Sequence, residues 1–211
     1  MKMTDELNPP NYFVTAIGTD SGKTFISAIL CEALHADYWK PIQAGLPRDA
    51  SQIAEWISNT NTKIHSEQYL LKTPSSPHAA ARIDGVEIEL QDFRLPQTSN
   101  SLIIEGAGGC MVPINENNFV IDLAEKFKTE VILVANLYLG SINHSLLTAF
   151  FLQQKKLNVK GIIFNGIPNE ESERIILQHT QLKCLLKVGQ ETTITRSEVI
   201  KYANILKKNW A

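Results

Sequence analysis

Apolar positions along this chain follow two alternating rhythms. Runs rich in β-branched and aromatic residues recur at 12–17, 101–105, 130–136 and 159–165. A weaker run lies at 183–188, and shorter ones at 38–43 and 68–71. Between them, apolar side chains return every three or four residues, as on one face of a helix. Over 23–35 the stripe is Ile26, Ile29, Leu30 and Leu34; over 50–58 it is Ile53, Ala54 and Ile57. Over 118–128 it is Val120, Leu123, Ala124 and Phe127, and further helices are predicted over 142–156, 170–181 and 196–209. The runs "EVILVAN" and "GIIFN" are apolar on both faces, the pattern of strands covered by helices on each side. Strand and helix in alternation predict an α/β fold with a doubly wound, mostly parallel sheet in a single domain over 1–211. Residues 72–100, with Pro74, Pro77 and Pro96, follow neither rhythm and read as a long surface excursion, and residues 1–10 as a flexible tail.

Composition narrows the function classes. A chain of 211 residues, 44% hydrophobic and 20% charged, can bury one sizeable core. Its formal charge of −2 gives no general attraction to nucleic acid or to an anionic membrane. Cys31, Cys110 and Cys184 are odd in number, far apart and in no CxxC pair, which suits thiols of a reducing compartment better than a disulfide frame or a metal site. The five histidines are scattered without ligand spacing. The N-terminus lacks a basic segment followed by an apolar core, and no apolar run nears the roughly 20 residues that span a bilayer. A cytoplasmic protein is expected.

In an open parallel sheet, ligands gather at the carboxyl ends of the strands. The first predicted strand runs into "AIGTDSGKT". Small residues there let backbone N–H groups converge on phosphate oxygens at a helix start. Lys23 would reach the outer phosphates and the Thr24 hydroxyl would ligate Mg²⁺. Ile17 stands where the strict G-x4-G-K-[ST] pattern has its first glycine. A second strand end, "SLIIEGAGG", places Glu105 at its tip before a glycine turn, and Mg²⁺–nucleotide sites use a few carboxylates beside phosphates. "YWKPIQAG" puts Lys40 near the end of another strand. Asp49 directly precedes a helix, where it is either a plain N-cap or a further metal ligand.

Taken together, "YFVTAIGTDSGKT", "YWKPIQAG", "SSPHAAAR", "IIEGAGGCMVPI" and "VILVANLYLGSINHSLLT" resemble the dethiobiotin synthetase family in order and spacing, from residue 12 to about 166. That family has a P-loop fold and is usually homodimeric. It uses ATP and Mg²⁺ to join CO2 (or bicarbonate) to 7,8-diaminononanoate, closing the ureido ring of dethiobiotin in biotin biosynthesis. The resemblance implies that Asp20, Ser21, Gly22, Lys23, Thr24 and Phe25 form the phosphate loop and that Thr24, Asp49 and Glu105 hold Mg²⁺. Lys40 takes the place of the catalytic lysine and Lys23 that of the phosphate lysine. It further implies that Glu105, Gly106, Ala107 and Gly108 face the phosphates and the carbamate, that Asn165 and Gly166 contact the adenine, and that Thr19 and Ala44 join Lys40 at the substrate. Ala16 replaces a family glycine, which requires a negative φ there. The stretch "LLKVGQETTITRSEV" lacks the family's Gly-x-Ile-Pro turn beside the base.

Gly140 and Ser141 precede a long helix, with Ser141 the expected N-cap, and that helix start could receive the substrate carboxylate near Asn143. In the family this element comes from the second subunit. Two rival readings have requirements of their own. An amidoligase of the same superfamily would need a glutamine-hydrolysing domain for which 211 residues leave no room. A deviant-loop ATPase acting as a partitioning or regulatory switch would carry a lysine early in its loop, where this chain has Gly18.

Overall fold

The computed structural model describes residues 9–210, so most of the tail expected over 1–10 lies outside the described residues. The main elements follow in order as β1 (Asn11–Ala16), α1 (Lys23–Leu34), β2 (Asp37–Trp39), β3 (Ile42–Ala44), α2 (Asp49–Trp56), β4 (Ile64–His65), β5 (Tyr69–Leu71) and α3 (Pro77–Asp84). Then come β6 (Leu102–Glu105), α4 (Asp122–Phe127), β7 (Glu130–Leu137), α5 (Ser141–Gln154), β8 (Val159–Gly166), α6 (Glu170–Thr180), β9 (Cys184–Val188) and α7 (Arg196–Asn209). Seven strands form one sheet in the order β4-β2-β6-β1-β7-β8-β9, and β3 pairs with β5 apart from it. Every strand pairing is parallel. β1 lies between β6 and β7, where the winding reverses direction. That crevice is where such sheets bind ligands.

The two-faced burial anticipated from the apolar strands is present. Tyr12, Val14 and Ala16 of β1 pack with α1, α2 and α7, while Phe13 joins a second core with Leu152 of α5 and Ile176 of α6. Side chains alternate sides along a strand, so one central strand seeds both cores.

Three expectations are corrected. The single strand read over 38–43 is two strands in different sheets, because Pro41 interrupts the ladder and its carbonyl instead accepts the N–H groups of Gln68 and Tyr69. The helix read over 118–128 starts only at Asp122, since Asn118 and Val120 are held in a backbone-bonded hairpin with Ile114 and Val112. Residues 72–100 are not wholly irregular: α3 opens at Pro77 and stops at Gly85, whose φ is 67°. Proline at a helix start and glycine just past its end are punctuation of a helix rather than signs against one. The two-residue strand β4 was too short to see in the sequence. It is tied to β2 by Asp37, whose carboxylate meets His65 Nε2 at 2.9 Å and accepts from Asn100 Nδ2 at 2.9 Å. Among the described residues no helix is long and apolar enough to cross a membrane.

Candidate active site

The loop between β1 and α1 is built to receive an anion. Gly22 caps α1 at φ 87°, and no side chain bonds the helix's first N–H groups. Those donors and the helix dipole face the loop. Glycine is required at position 22, because a Cβ there would lie 2.3 Å from Asn165 Nδ2. That amide donates to the Ser21 carbonyl at 3.0 Å. The Ser21 hydroxyl lies 3.0 Å from the Gly18 carbonyl and 2.8 Å from Asn136 Oδ1. The loop is thus laced to the tips of β7 and β8. Ala16 stays in β1 outside the positive-φ residues, with its methyl group buried, so the expected condition on its backbone is met.

β2 and β6 supply the charged centre. Glu105 ends β6 and is 1% exposed. One of its oxygens accepts from Thr24 Oγ1 at 2.9 Å and from Lys40 Nζ at 3.1 Å, and the other from the Tyr38 hydroxyl at 2.9 Å. Lys40 also pairs with Asp49 Oδ2. Asp49 is the first residue of α2 and not its N-cap, a position taken by Arg48 without a side-chain cap. The Asp49 carboxylate therefore points to Lys40, while its N–H donates to Gln43 Oε1 at 3.1 Å. The plain capping role is excluded.

Burial alone would raise the Glu105 carboxyl, but Lys40 and Lys23 outweigh it and hold the group below its ordinary value. Burial would likewise lower the Lys40 ammonium, and Glu105 and Asp49 overcome that to keep it firmly protonated. For Lys23 burial prevails and its value falls, with Glu105 opposing. Burial, then Glu105, pushes the Tyr38 phenol well up, so it remains a donor.

The Asp49 and Glu105 carboxylates share the Lys40 ammonium and the Thr24 hydroxyl bonds Glu105, so one hydroxyl and two carboxylates gather here. Hard oxygen donors gathered at a phosphate loop are a fitting set for Mg²⁺, which takes one or two carboxylates and completes its shell with phosphates and water. Among the described residues no group of three or more His, Cys, Asp or Glu side chains could hold a metal by itself.

A cavity of about 760 Å³ opens over this centre. Thr19, Asp20, Gly22, Lys23, Thr24 and Phe25 line it, as do Lys40, Ala44, Asp49, Glu105, Ala107 and Gly108. Ser21, Gly106, Asn165 and Gly166 do not line it. Ser141 and Asn143 are at the start of α5, which this chain does not bring to the cavity. Ser141 is also not the N-cap expected of it: Gly140 caps α5, and the Ser141 hydroxyl is buried with no partner. Three supporting residues escaped the sequence reading, namely Tyr38, Gln43 and Asn136. Strand alternation puts Tyr38 on the same side as Lys40, a signal that could have found it.

A family model described as "AAA domain" matches residues 10–198. An ATP-dependent dethiobiotin synthetase of Cytophaga hutchinsonii is 58% identical over 94% of this chain and 98% of its own. One from Christiangramia forsetii is 42% identical over 95% and 97%. The chain belongs to the dethiobiotin synthetase family. Solved structures with the same fold include a ParA family ATPase from Chlorobium tepidum, at 11% identity and a TM-score of 0.56 over 93% of this chain and 98% of that one. The septum site-determining protein MinD of Pyrococcus horikoshii is 14% identical, with a TM-score of 0.56 over 95% and 89%. At such identities the likeness carries the fold alone. The switch reading gains nothing from it, since Gly18 still occupies the place of the switch lysine, and the synthetase relatives span nearly the whole chain.

Proposed function

We propose that this protein is an ATP-dependent dethiobiotin synthetase, a C–N bond-forming ligase that closes the ureido ring from 7,8-diaminononanoate and CO2. The observation that carries the reading is the hydrogen-bonded set of Thr24, Lys40, Asp49 and Glu105 beside the phosphate loop. One amine of the diamine captures CO2 as a carbamate. The γ-phosphoryl group of ATP passes to a carbamate oxygen, and the second amine attacks the carbonyl carbon and expels phosphate. Such a transfer needs positioning and charge neutralisation, and no nucleophilic side chain. Lys23, at the start of α1 after β1, and Lys40, just past β2, supply the positive charge from either side of β6. Mg²⁺, held by Thr24, Asp49 and Glu105, would neutralise phosphate oxygens when bound. The turn from Glu105 through Gly106 and Ala107 to Gly108 lies against the reacting groups, Thr19 and Ala44 border the diamine, and Asn165 and Gly166 stand at the nucleoside end.

The substrate carboxylate is assigned to the start of α5 in a second copy of the chain, near Ser141 and Asn143. This is supported by the absence of a side-chain cap on that 14-residue helix and by the unpartnered Ser141 hydroxyl. Leu139, Ile142, Leu147 and Phe150 are exposed around it, an apolar surface suited to a homodimer. Three free thiols accord with work in the cytoplasm.

The test is ADP release measured with and without the diamine and bicarbonate. Release that requires both, with dethiobiotin as product, supports the proposal. Release indifferent to both sinks it in favour of a switch ATPase.

A further inference from the structure

The cavity runs along one face of α2. Asp49, Gln52 and Trp56 all line it, spaced by three and four residues over two turns, roughly 10 Å at 1.5 Å per residue. Asp49 pairs with Lys40, which also pairs with Glu105, at the reacting end. Trp56 marks the opposite end, where Phe25 meets it edge-on at 6.3 Å and Ile194 completes an apolar wall. A linear triphosphate whose last phosphate sits at Lys40 must put its nucleoside away from that lysine. Ile194 belongs to the loop 189–195 between β9 and α7. At its other end that loop leaves β9 beside Asn165, since Val188 pairs with Asn165 in the sheet. One seven-residue loop therefore reaches the aromatic wall of the cavity at one end and Asn165 at the other.

No proline stiffens this loop. It is bound instead by one phenol on α7. The Tyr202 hydroxyl accepts from the Gly189 N–H at 3.0 Å and donates to Glu191 Oε1 at 2.6 Å. Lys201 Nζ reaches the same Glu191 oxygen at 3.1 Å. Tyr202 is 5% exposed, and its ring stands edge-on to Phe25 at 5.9 Å. Arg196 Nε closes the far side by donating to the Glu55 carbonyl at 2.8 Å, at the last turn of α2. The loop is thus clamped between α7 and α2 on either flank of the apolar wall.

We infer that Tyr202 is a positioning residue for the nucleotide: with Glu191 it holds loop 189–195 in the shape that receives the nucleoside. The inference rests on the synthetase reading only for where ATP lies. An ordered loop binds without first being ordered by its ligand, so its release shows in affinity rather than in the chemical step.

The experiment is ADP binding by calorimetry on the full chain, without diamine, joined to steady-state kinetics and thermal melts. Tyr202→Phe keeps the ring against Phe25 and removes both hydrogen bonds. It should raise the ADP Kd and the KM for ATP about five- to tenfold, the scale of one net hydrogen bond. Turnover at saturating ATP and the KM for the diamine should stay within about twofold. Glu191→Ala, at the loop's own surface, should weaken ADP similarly, and Glu191→Gln, which keeps an acceptor oxygen, should restore most of the loss. A Tyr202→Phe protein that melts earlier yet binds ADP as the wild type does would make the phenol a stabiliser of α7 only and overturn the inference. So would equal losses in Glu191→Ala and Glu191→Gln. A wild type that binds ADP but forms no ring product would defeat the proposed activity while the Kd comparison still decides the role of Tyr202.

Discussion

The Tyr38 hydroxyl donates to Glu105 Oε2 at 2.9 Å, with both side chains sealed from solvent. Thr24 and Lys40 occupy the other oxygen, so Tyr38 supplies the donor for the oxygen they leave. Tyr38→Phe should leave a buried carboxylate oxygen without a donor. The expected cost is about 1–3 kcal/mol of stability, with a higher Mg²⁺ concentration for half-maximal ADP release. Denaturant melts and a Mg²⁺ titration check it; an unchanged titration would reduce Tyr38 to packing.

Lys40 balances two carboxylates as well as facing the cavity. Lys40→Ala should cut turnover by on the order of 10² or more, the loss of one charge stabiliser in a transition state. It should also cost stability, by about 3–5 kcal/mol, because Asp49 and Glu105 are left facing each other without their shared cation. Lys23→Ala should instead weaken nucleotide binding outright. Comparing kcat, ADP affinity and melting for the two variants separates these roles; near-normal turnover in a folded Lys40→Ala protein would remove that lysine from the mechanism.

Asp49 caps nothing with its side chain, so Asp49→Asn should alter metal dependence more than melting temperature. Glu105→Gln should shift the metal dependence too. An Asp49→Asn enzyme with wild-type Mg²⁺ dependence would deny this carboxylate a place around the metal.

For the shared-site arrangement, a diamine analogue with a neutral amide in place of its carboxylate should show a KM roughly tenfold higher, from a helix-end interaction of about 1 kcal/mol or more. Asn143→Glu should act alike by repulsion and leave ADP binding intact. Sedimentation alongside kinetics completes the test, because a fully active monomer contradicts a carboxylate site built by a second copy.

Acid should loosen the edge strand β4 through Asp37 on its neighbour β2. Burial would raise this carboxyl, but the Asn100 amide, the Lys63 N–H and the other donors outweigh it and hold it below its ordinary value. A folded-state value below the unfolded one gives stability that is full above the unfolded value, about 4, and is lost as pH falls through the folded value. Asn100→Ala should therefore lower the denaturant midpoint most near neutrality, with the gap to wild type closing below about pH 4. A gap independent of pH would assign the loss to backbone packing.

Local pattern determined much of this protein. Apolar runs of period two and stripes of period 3.6 revealed the long strands and helices, because burial on a sheet or helix face leaves that trace in consecutive residues. The run from β1 through Gly22-Lys23-Thr24 announced the phosphate loop, and Glu105 and Lys40 stood at legible strand tips. The short strand β4 and the helix α3 stayed hidden, the one too brief for a period and the other masked by its own capping proline and glycine. What only the tertiary structure decided is which strand ends become neighbours. Insertion of β6 between β1 and β2 brings Glu105 within reach of both Thr24 and Lys40. The partners that orient the site are 67 residues apart for Tyr38 and Glu105, and 115 for Ser21 and Asn136. Asp49 precedes a helix whether it caps it or serves the site, and only the ammonium of Lys40 beside it chooses between them. Ladder order and buried polar pairing are long-range properties of the packed chain, so no window of sequence contains them.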